Sequence, residues 1–365
     1  MSFNFFLFKG LRLLLFPFSL LVWVYLRIRN WLYNKNLFTA SKFNLPIICV
    51  GNLSVGGTGK SPMVEYLLGE LTAHFKMATI SRGYKRKTKG YVLAGEQSTA
   101  LEIGDEPMQF HLKFPEVAVA VGEQRILAVP QLLHDHPDTQ AIILDDAFQH
   151  REISAGLNII LTDYSNPYWY DWYLPTGELR DNKRSARRAQ IIVVTKCPAN
   201  MSAETKKEFT RHIKPFAGQQ VFFTMIDYGM PYHIITKAPQ PLSQQIEVLL
   251  VCGIANPAPL KEYIEQNSES YFETNFSDHH VFTIDDWKEI ETRFNKLDGN
   301  SNIMLTTEKD AVRLIKFGDL LAAKPLYVLP IRASFLFNEE QKFKKLITTF
   351  IESYTSDPRL VTQPG

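Results

Sequence analysis

A chain of 365 residues with 45% hydrophobic and 21% charged side chains is long enough for two ordinary domains, and its composition excludes disorder, collagen and coiled coil. Three scattered cysteines, Cys49, Cys197 and Cys252, are too few for a disulfide framework or a zinc site and fit a reducing compartment. The net charge of +2 argues against nucleic acid, but it is unevenly spread: residues 1–64 carry seven basic and no acidic side chains, leaving 33 basic against 38 acidic in the rest.

The chain opens on an apolar leader. Leu13 to Leu26 is a 14-residue uncharged run broken by Pro17 and Ser19. As a helix rising about 1.5 Å per residue it reaches roughly 21 Å, short of the ~30 Å hydrocarbon core. Arg27 and Arg29 follow, with Trp23, Tyr25, Trp31 and Tyr33 around them, the mixture that anchors helices at membrane interfaces. The expectation is a helix lying in, or dipping into, a cytoplasmic leaflet. A core helix and a cleaved signal peptide are the alternatives; no A-x-A site follows the run.

Short apolar runs then alternate with helical segments. Pro46–Val50, Ala78–Ile80, Val117–Val121, Ala141–Leu144, Leu157–Leu161 and Ile191–Thr195 read as buried strands, and Ser61–Leu71 as a helix. Such continuous runs indicate a parallel sheet covered on both faces. Gln220–Met225 and Tyr232–Ile235 read as a hairpin or linker. Val248–Cys252, Asn302–Thr306 and Pro325–Leu329 restart the pattern in a second, smaller α/β unit. The expected organisation is a leader over 1–36, a P-loop domain over 37–222, a β linker over 223–245, a C-terminal α/β domain over 246–350 and a tail over 351–365.

Ser54-Val55-Gly56-Gly57-Thr58-Gly59-Lys60-Ser61 follows the first strand and matches G-x-x-x-x-G-K-[ST] except at Ser54. Glycines let backbone amides cradle phosphate oxygens, Lys60 reaches the β and γ phosphates, Ser61 ligates Mg²⁺, and the following helix turns its positive end to the anion. Asp145 and Asp146 end the strand Ala141–Leu144, where a carboxylate can meet that metal. Gln149, His150 and Arg151 follow, as cleft residues or as ordinary loop polarity.

Gly104-Asp105-Glu106-Pro107 opens a helix. Asp105 is either its cap or a general base for a hydroxyl nucleophile. Asp278-His279-His280 lies in the second unit without a third metal ligand at helix spacing, so zinc is not expected. Tyr84–Lys89 and Arg180–Arg188 are basic loops, either solvated runs or an electropositive site for a phosphorylated substrate or anionic headgroups. Their aromatic interleaving is too sparse for nucleic acid. Thr307-Glu-Lys-Asp310 reads as a helix start whose capping role explains it without function.

In this order the motifs resemble one family closely. They are Val50-Gly-Asn52 running through Lys60-Ser61-Pro62, Ser81-Arg-Gly-Tyr84, Gly104–Pro107, Leu144-Asp-Asp-Ala-Phe-Gln-His-Arg151, Leu174-Pro-Thr-Gly-Glu-Leu-Arg-Asp181, Gly253–Pro257, Phe276–His279 and Thr307–Val312. Together they are similar to the tetraacyldisaccharide 4′-kinases, the lipid A kinases, over nearly the whole chain.

The resemblance implies a membrane-associated P-loop kinase with two α/β lobes, using ATP and Mg²⁺. It would phosphorylate the 4′-hydroxyl of a tetraacyldisaccharide 1-phosphate, giving lipid IVA on the cytoplasmic face of a Gram-negative inner membrane. No nucleic acid and no obligate protein partner are expected. By resemblance Asp105 is the catalytic base and His279 its partner, raising the basicity of Asp105 toward working pH. Ser54 to Ser61 hold the nucleotide, Ser61, Asp145 and Asp146 the metal, and Asn52, Tyr84, Arg125, Gln149, His150 and Arg180 the substrates. Ser61, Ala147 and Asp181 depart from the commoner Thr, Gly and Glu. The alternative is a membrane-attached P-loop switch, which would hydrolyse nucleotide alone and need no Asp105.

Overall fold

The computed structural model describes residues 14–355 except 298 and 300. The start of the leader and most of the expected tail lie outside the described residues.

The seven apolar segments read up to residue 225 become β1 (Ile47–Asn52), β2 (Met77–Ser81), β4 (Ala118–Val121), β5 (Ala141–Asp145), β6 (Leu157–Asp163), β7 (Ile191–Thr195) and β8 (Gln220–Tyr228), and the two-residue β3 (Val92–Leu93), not expected, is added. The remaining strands are β9 (Tyr232–His233), β10 (Glu247–Cys252), β11 (Ser270–Asn275), β12 (Asn302–Thr307), β13 (Leu326–Leu329) and β14 (Ile331–Phe335). Among the described residues nine strands form one sheet in the order β14-β8-β7-β6-β1-β5-β2-β4-β3, and five form a second in the order β11-β10-β12-β13-β9. From β8 to β4 the large sheet is parallel. Its strands are buried on both faces, as unbroken Val, Ile and Leu runs require. One face carries Leu53, Ile142, Phe148 and Val194, and the other carries Val50, Leu67, Ile143 and Phe222.

The boundaries differ from those expected. Gln220–Met225 and Tyr232–Ile235, read as a hairpin or linker, do not pair with each other: β8 joins the large sheet and β9 pairs antiparallel with β13 in the small one. The C-terminal unit does not run on to residue 350. β14 returns to pair antiparallel with β8, and the helix Glu340–Thr355 lays Phe343, Ile347 and Ile351 on Val64, Leu67 and Leu68. Their four-residue spacing forms one apolar stripe, and burying it is why this segment leaves the small lobe. The chain therefore crosses between lobes twice.

The leader forms the helix Phe16–Asn34, with Pro17 in its first turn. No described helix is long and apolar enough to cross a membrane. Its inward residues are Ser19, Leu26 and Asn30, while Phe18, Leu21, Tyr25 and Ile28, at 53–67% exposure, form an outward apolar stripe. Ser19 donates to the Tyr173 carbonyl at 2.9 Å, and Asn30 Nδ2 donates to Asp181 Oδ1 at 2.9 Å. The helix is thus turned with its polar side on the protein.

Candidate active site

The catalytic candidates sit at the C-terminal ends of parallel strands, where open α/β sheets place ligands. Between β1 and the helix Lys60–Leu71, Gly56 and Gly59 take φ of +97° and +80°, conformations open to glycine at no steric cost. A Cβ added at Gly56 or Gly57 would meet nothing within 4 Å, so the loop faces open space. Thr195 Oγ1 donates to the Thr58 carbonyl at 2.9 Å, and Asn52 Nδ2 donates to Thr58 Oγ1 at 2.8 Å, fixing the loop from behind.

The pairing of β1 with β5 sets Val50 against Asp145 and brings both carboxylates beside this loop. Asp145 is buried. Ser81 Oγ donates to its Oδ2 at 3.3 Å, and its Oδ1 has no partner. Burial, followed by the charge of Asp146, pushes its pKa up to about 7. Asp146 adopts a left-handed φ of +50°, tolerated by aspartate and typical of functional turns. Its carboxylate accepts from Arg180, at 3.0 Å for one guanidinium nitrogen, and lies 3.7 Å from Lys60 Nζ. Burial raises its pKa, but Lys60 and Arg180 outweigh that and hold it below the usual carboxylate value.

Gly104 takes φ +95°, where an added Cβ would lie 3.2 Å from Gly83 Cα, and Asp105 begins the helix Asp105–Lys113. The small lobe meets it there. His279, in the loop after β11 and at φ +65°, places Nδ1 2.6 Å from Asp105 Oδ2. Arg313, on the helix Glu308–Leu314 after β12, donates from Nε to Asp105 Oδ1 at 2.7 Å and from a terminal nitrogen to Oδ2. Lys309 Nζ is 3.3 Å from His279 Nε2 and 2.9 Å from Asp278 Oδ1.

This environment corrects the expectation that Asp105 is made more basic. Burial alone would raise its pKa, but hydrogen bonds from Arg313 and His279, with their charges, bring it down to about 2. It also corrects the reading of Thr307–Asp310. Thr307 does cap its helix, accepting from the Asp310 amide at 3.1 Å. The same helix also delivers Lys309 and Arg313 to the site. Their four-residue spacing, which puts two cations on one helix face, is the signal that could have found them.

The other site residues divide. Gln149 donates to the Asn52 carbonyl at 2.8 Å, and Arg180 also donates to Asn52 Oδ1, so these three brace the phosphate loop. Tyr84 is exposed at the mouth, its ring 5.4 Å from that of His279. Arg125 differs from the expectation of a substrate contact. It is fully buried, donating to the Gly122 carbonyl at 2.9 Å and the Asp145 carbonyl at 3.3 Å, and has no surface to offer a ligand. His150 places Nδ1 3.0 Å from Glu152 Oε1. Arg151 lies over Tyr33 and donates to Asn34 Oδ1 at 2.8 Å, so it belongs to the leader contact. The basic run 180–188 is not one cationic face: Lys183 donates to the Trp169 carbonyl at 2.8 Å and Arg188 pairs with Asp181 at 3.0 Å.

A phosphate loop beside two strand-end carboxylates, with a third carboxylate held by the second lobe, defines a P-loop phosphotransferase. Residues 11–352 match the tetraacyldisaccharide-1-P 4′-kinase family. The tetraacyldisaccharide 4′-kinase of Flavobacterium johnsoniae is 44% identical over 94% of this chain and 98% of its own. That of Bacteroides thetaiotaomicron is 40% identical over 93% of each. The crystal structure of LpxK from Aquifex aeolicus in complex with ATP superposes with a TM-score of 0.73 at 28% identity, covering 93% of this chain and 99% of that one. The chain belongs to the tetraacyldisaccharide-1-P 4′-kinase family, and it is an ATP-dependent kinase of lipid A assembly.

Proposed function

We propose that this chain moves the γ-phosphate of ATP onto the 4′-hydroxyl of a tetraacyldisaccharide 1-phosphate at the cytoplasmic surface of an inner membrane. The observation that carries the reading is Asp105. It is a buried carboxylate whose hydrogen-bond partners, His279 and Arg313, both come from the small lobe. Its neighbour Glu106 is close enough to the metal-side carboxylates for its charge to act on Asp145. A nucleotide switch has no use for such a group.

In this reading the amides of 54–61 and the start of the helix Lys60–Leu71 hold the phosphates, and Lys60 leaves Asp146 to meet the transferring group. The residues fit a magnesium ion: Asp145 presents an unpartnered, buried oxygen, Asp146 adjoins it, and Ser61 offers a hydroxyl. One or two carboxylates with substrate phosphates are the usual holding set for this ion, and it would neutralise charge between the β and γ phosphates. The acceptor oxygen bonds to the γ-phosphorus as the bond to the β-phosphate oxygen breaks, and the hydroxyl proton passes to Asp105. A carboxylate with a pKa near 2 is a weak base. It therefore acts mainly by aiming the hydroxyl, taking the proton late in a loose transition state.

The leader would keep this cleft at the headgroup plane. Its outward stripe continues onto Trp172, which packs edge-on against Phe16 at 5.5 Å, and onto exposed Tyr170. Arg27 stacks over Trp23 at 5.2 Å, an interfacial pairing. The test is radiolabelled ATP transfer to the disaccharide 1-phosphate in detergent micelles. Asp105→Asn should lower transfer by about 10²- to 10⁴-fold with ATP binding retained. Full activity in that variant would remove Asp105 from the chemistry.

A further inference from the structure

The motif Thr307–Val312 is not absorbed by the phosphate-binding machinery, yet the two cations of its helix converge on Asp105 and His279. We propose that Lys309 and Arg313 are positioning residues for phosphoryl transfer: from the small lobe they fix the His279 tautomer and the orientation and charge of Asp105. This inference rests on the reading of Asp105 as the group that receives the acceptor proton.

The argument begins with what each group can donate. An ammonium has donors only. Lys309 Nζ, 3.3 Å from His279 Nε2 and nearer to it than Asp278 Oδ2 at 3.6 Å, favours a lone pair on that ring nitrogen. The proton of the ring then sits on Nδ1, 2.6 Å from Asp105 Oδ2. The opposite tautomer would set the Nδ1 lone pair against an ionised carboxylate. The terminal nitrogen of Arg313 also lies 3.1 Å from Nδ1, because two donors converge on the same Oδ2. Lys309 is in turn held by Asp278 at 2.9 Å, so the ammonium cannot drift from the ring without giving up that pair.

Arg313 acts on the other side. Its fork grips both oxygens of Asp105, the geometry in which a guanidinium fixes a carboxylate plane rather than merely balancing its charge. The fork is itself anchored: Arg313 Nη1 is 3.4 Å from the His280 carbonyl and 3.5 Å from Asp310 Oδ1. Asp310 accepts from the Gly253 amide at 3.0 Å and from Thr307 Oγ1 at 2.8 Å. Hydrogen bonds joined by the 3.5 Å Asp310–Arg313 ion pair thus connect the end of β10 to Asp105. Oδ1 accepts only from Arg313 Nε among these groups, leaving a lone pair for the sugar hydroxyl.

The groups facing Asp105 are the Arg313 guanidinium and the His279 ring from the small lobe and Glu106 from its own helix. Behind them stand Asp310, Lys309 and Asp278. Arg313 keeps Asp105 ionised across the working pH range, so its readiness does not depend on pH while Arg313 is present. Because the anchors belong to one lobe and Asp105 to the other, the carboxylate is aimed only while the lobes are together.

The experiment uses the full chain with ATP and the disaccharide lipid in micelles, and compares Arg313→Gln, Arg313→Lys, Lys309→Met and Asp105→Asn. Arg313→Gln should lower kcat about tenfold to a hundredfold with ATP affinity unchanged. It should also move the acid limb of kcat/KM upward by about 1–3 pH units. Arg313→Lys should recover part of the rate and move the limb back, and Lys309→Met should lower kcat without moving the limb. An Arg313→Gln enzyme that binds ATP normally and whose pH profile superimposes on the parent overturns the proposal. If Arg313→Gln no longer binds ATP, Lys309→Met decides: unchanged kcat overturns the proposal and a fall supports it. Full activity of Asp105→Asn would instead defeat the reading beneath it, an outcome distinct from an inert Arg313→Gln beside an inactive Asp105→Asn.

Discussion

Replacing Lys113 by Met should loosen the junction of the two lobes in a pH-dependent way. Lys113 Nζ lies 2.7 Å from Glu65 Oε2 and 2.7 Å from Glu308 Oε1, so one ammonium joins the helix after the phosphate loop to the first turn of the small-lobe helix Glu308–Leu314. Gln109 donates to Glu65 Oε1 at 2.6 Å, and Glu308 Oε2 accepts from the Ile331 amide at 3.1 Å. Both carboxylates are buried, and burial, then the charge of Glu308, pushes Glu65 up to about 7. Removing one partner of a buried ion pair costs about 3–5 kcal/mol. The Lys113 side chain keeps 34% of its surface in water, which brings the expectation down to about 2–3 kcal/mol.

The sign of the pH dependence follows from Glu65. A carboxylate whose folded pKa lies above its unfolded value is a cost when ionised. That cost is absent below the unfolded value of 4.5 and complete above about 7 in the parent protein. Without the ammonium the folded value rises further, so the extra loss in the variant grows as pH rises through about 7. Urea unfolding followed by tryptophan fluorescence at about pH 6 and about pH 9 measures this. A loss that is equal at both pH values, or below about 1 kcal/mol at the higher one, would refute the reasoning.

Three further outcomes are expected. Asp145→Asn should abolish transfer yet stabilise the ligand-free protein. The cost of ionising Asp145, whose pKa is about 7 against 3.8 unfolded, is complete above about 7, so the gain in urea midpoint should be larger at about pH 8 than at about pH 5. An unchanged or lower midpoint at the higher pH would contradict the burial argument. Leu21→Glu with Tyr25→Glu alters the outward stripe only, and should reduce sedimentation with anionic vesicles while ATP affinity stays as in the parent. Undiminished sedimentation would place the membrane contact elsewhere. Asn30→Ala removes one donor from Asp181, which is fully buried among Asn30, Ser185 and Arg188, and should cost about 1–3 kcal/mol. A thermal midpoint equal to the parent's would show that Ser185 and Arg188 suffice. Because Asp181 depends on the leader, point changes test its outer face more cleanly than deleting it.

Much of this molecule could be read in one dimension because its signals are local. A parallel sheet buried on both faces demands unbroken apolar runs, and β1, β5, β6 and β7 are written that way. The phosphate loop is local too, since glycine spacing, a lysine and a following helix suffice. What could not be read was pairing. β14 is a five-residue strand with Arg332 exposed at its second position, and only the unpaired edge of β8 gives it a place. The leader misled in a subtler way. Its apolar run predicts a lipid-facing helix, but not that Ser19 and Asn30 would be its inner contacts.

At the site the division is sharper. Asp145 and Asp146 at a strand end and Lys60 at a helix start follow from motif and element position alone, and so does the family to which they belong. The charge state of Asp105 does not. Read from the sequence, with His279 beside it, it is a base tuned upward. In the fold, Arg313 arrives from a segment 208 positions away and drives it the other way. Sequence fixes which groups are present and which lie on one local element. Electrostatics depends on distances between elements, and those are set only when the two sheets pack, the chain crosses back between them, and one helix of the small lobe is brought onto the first turn of a helix in the large one.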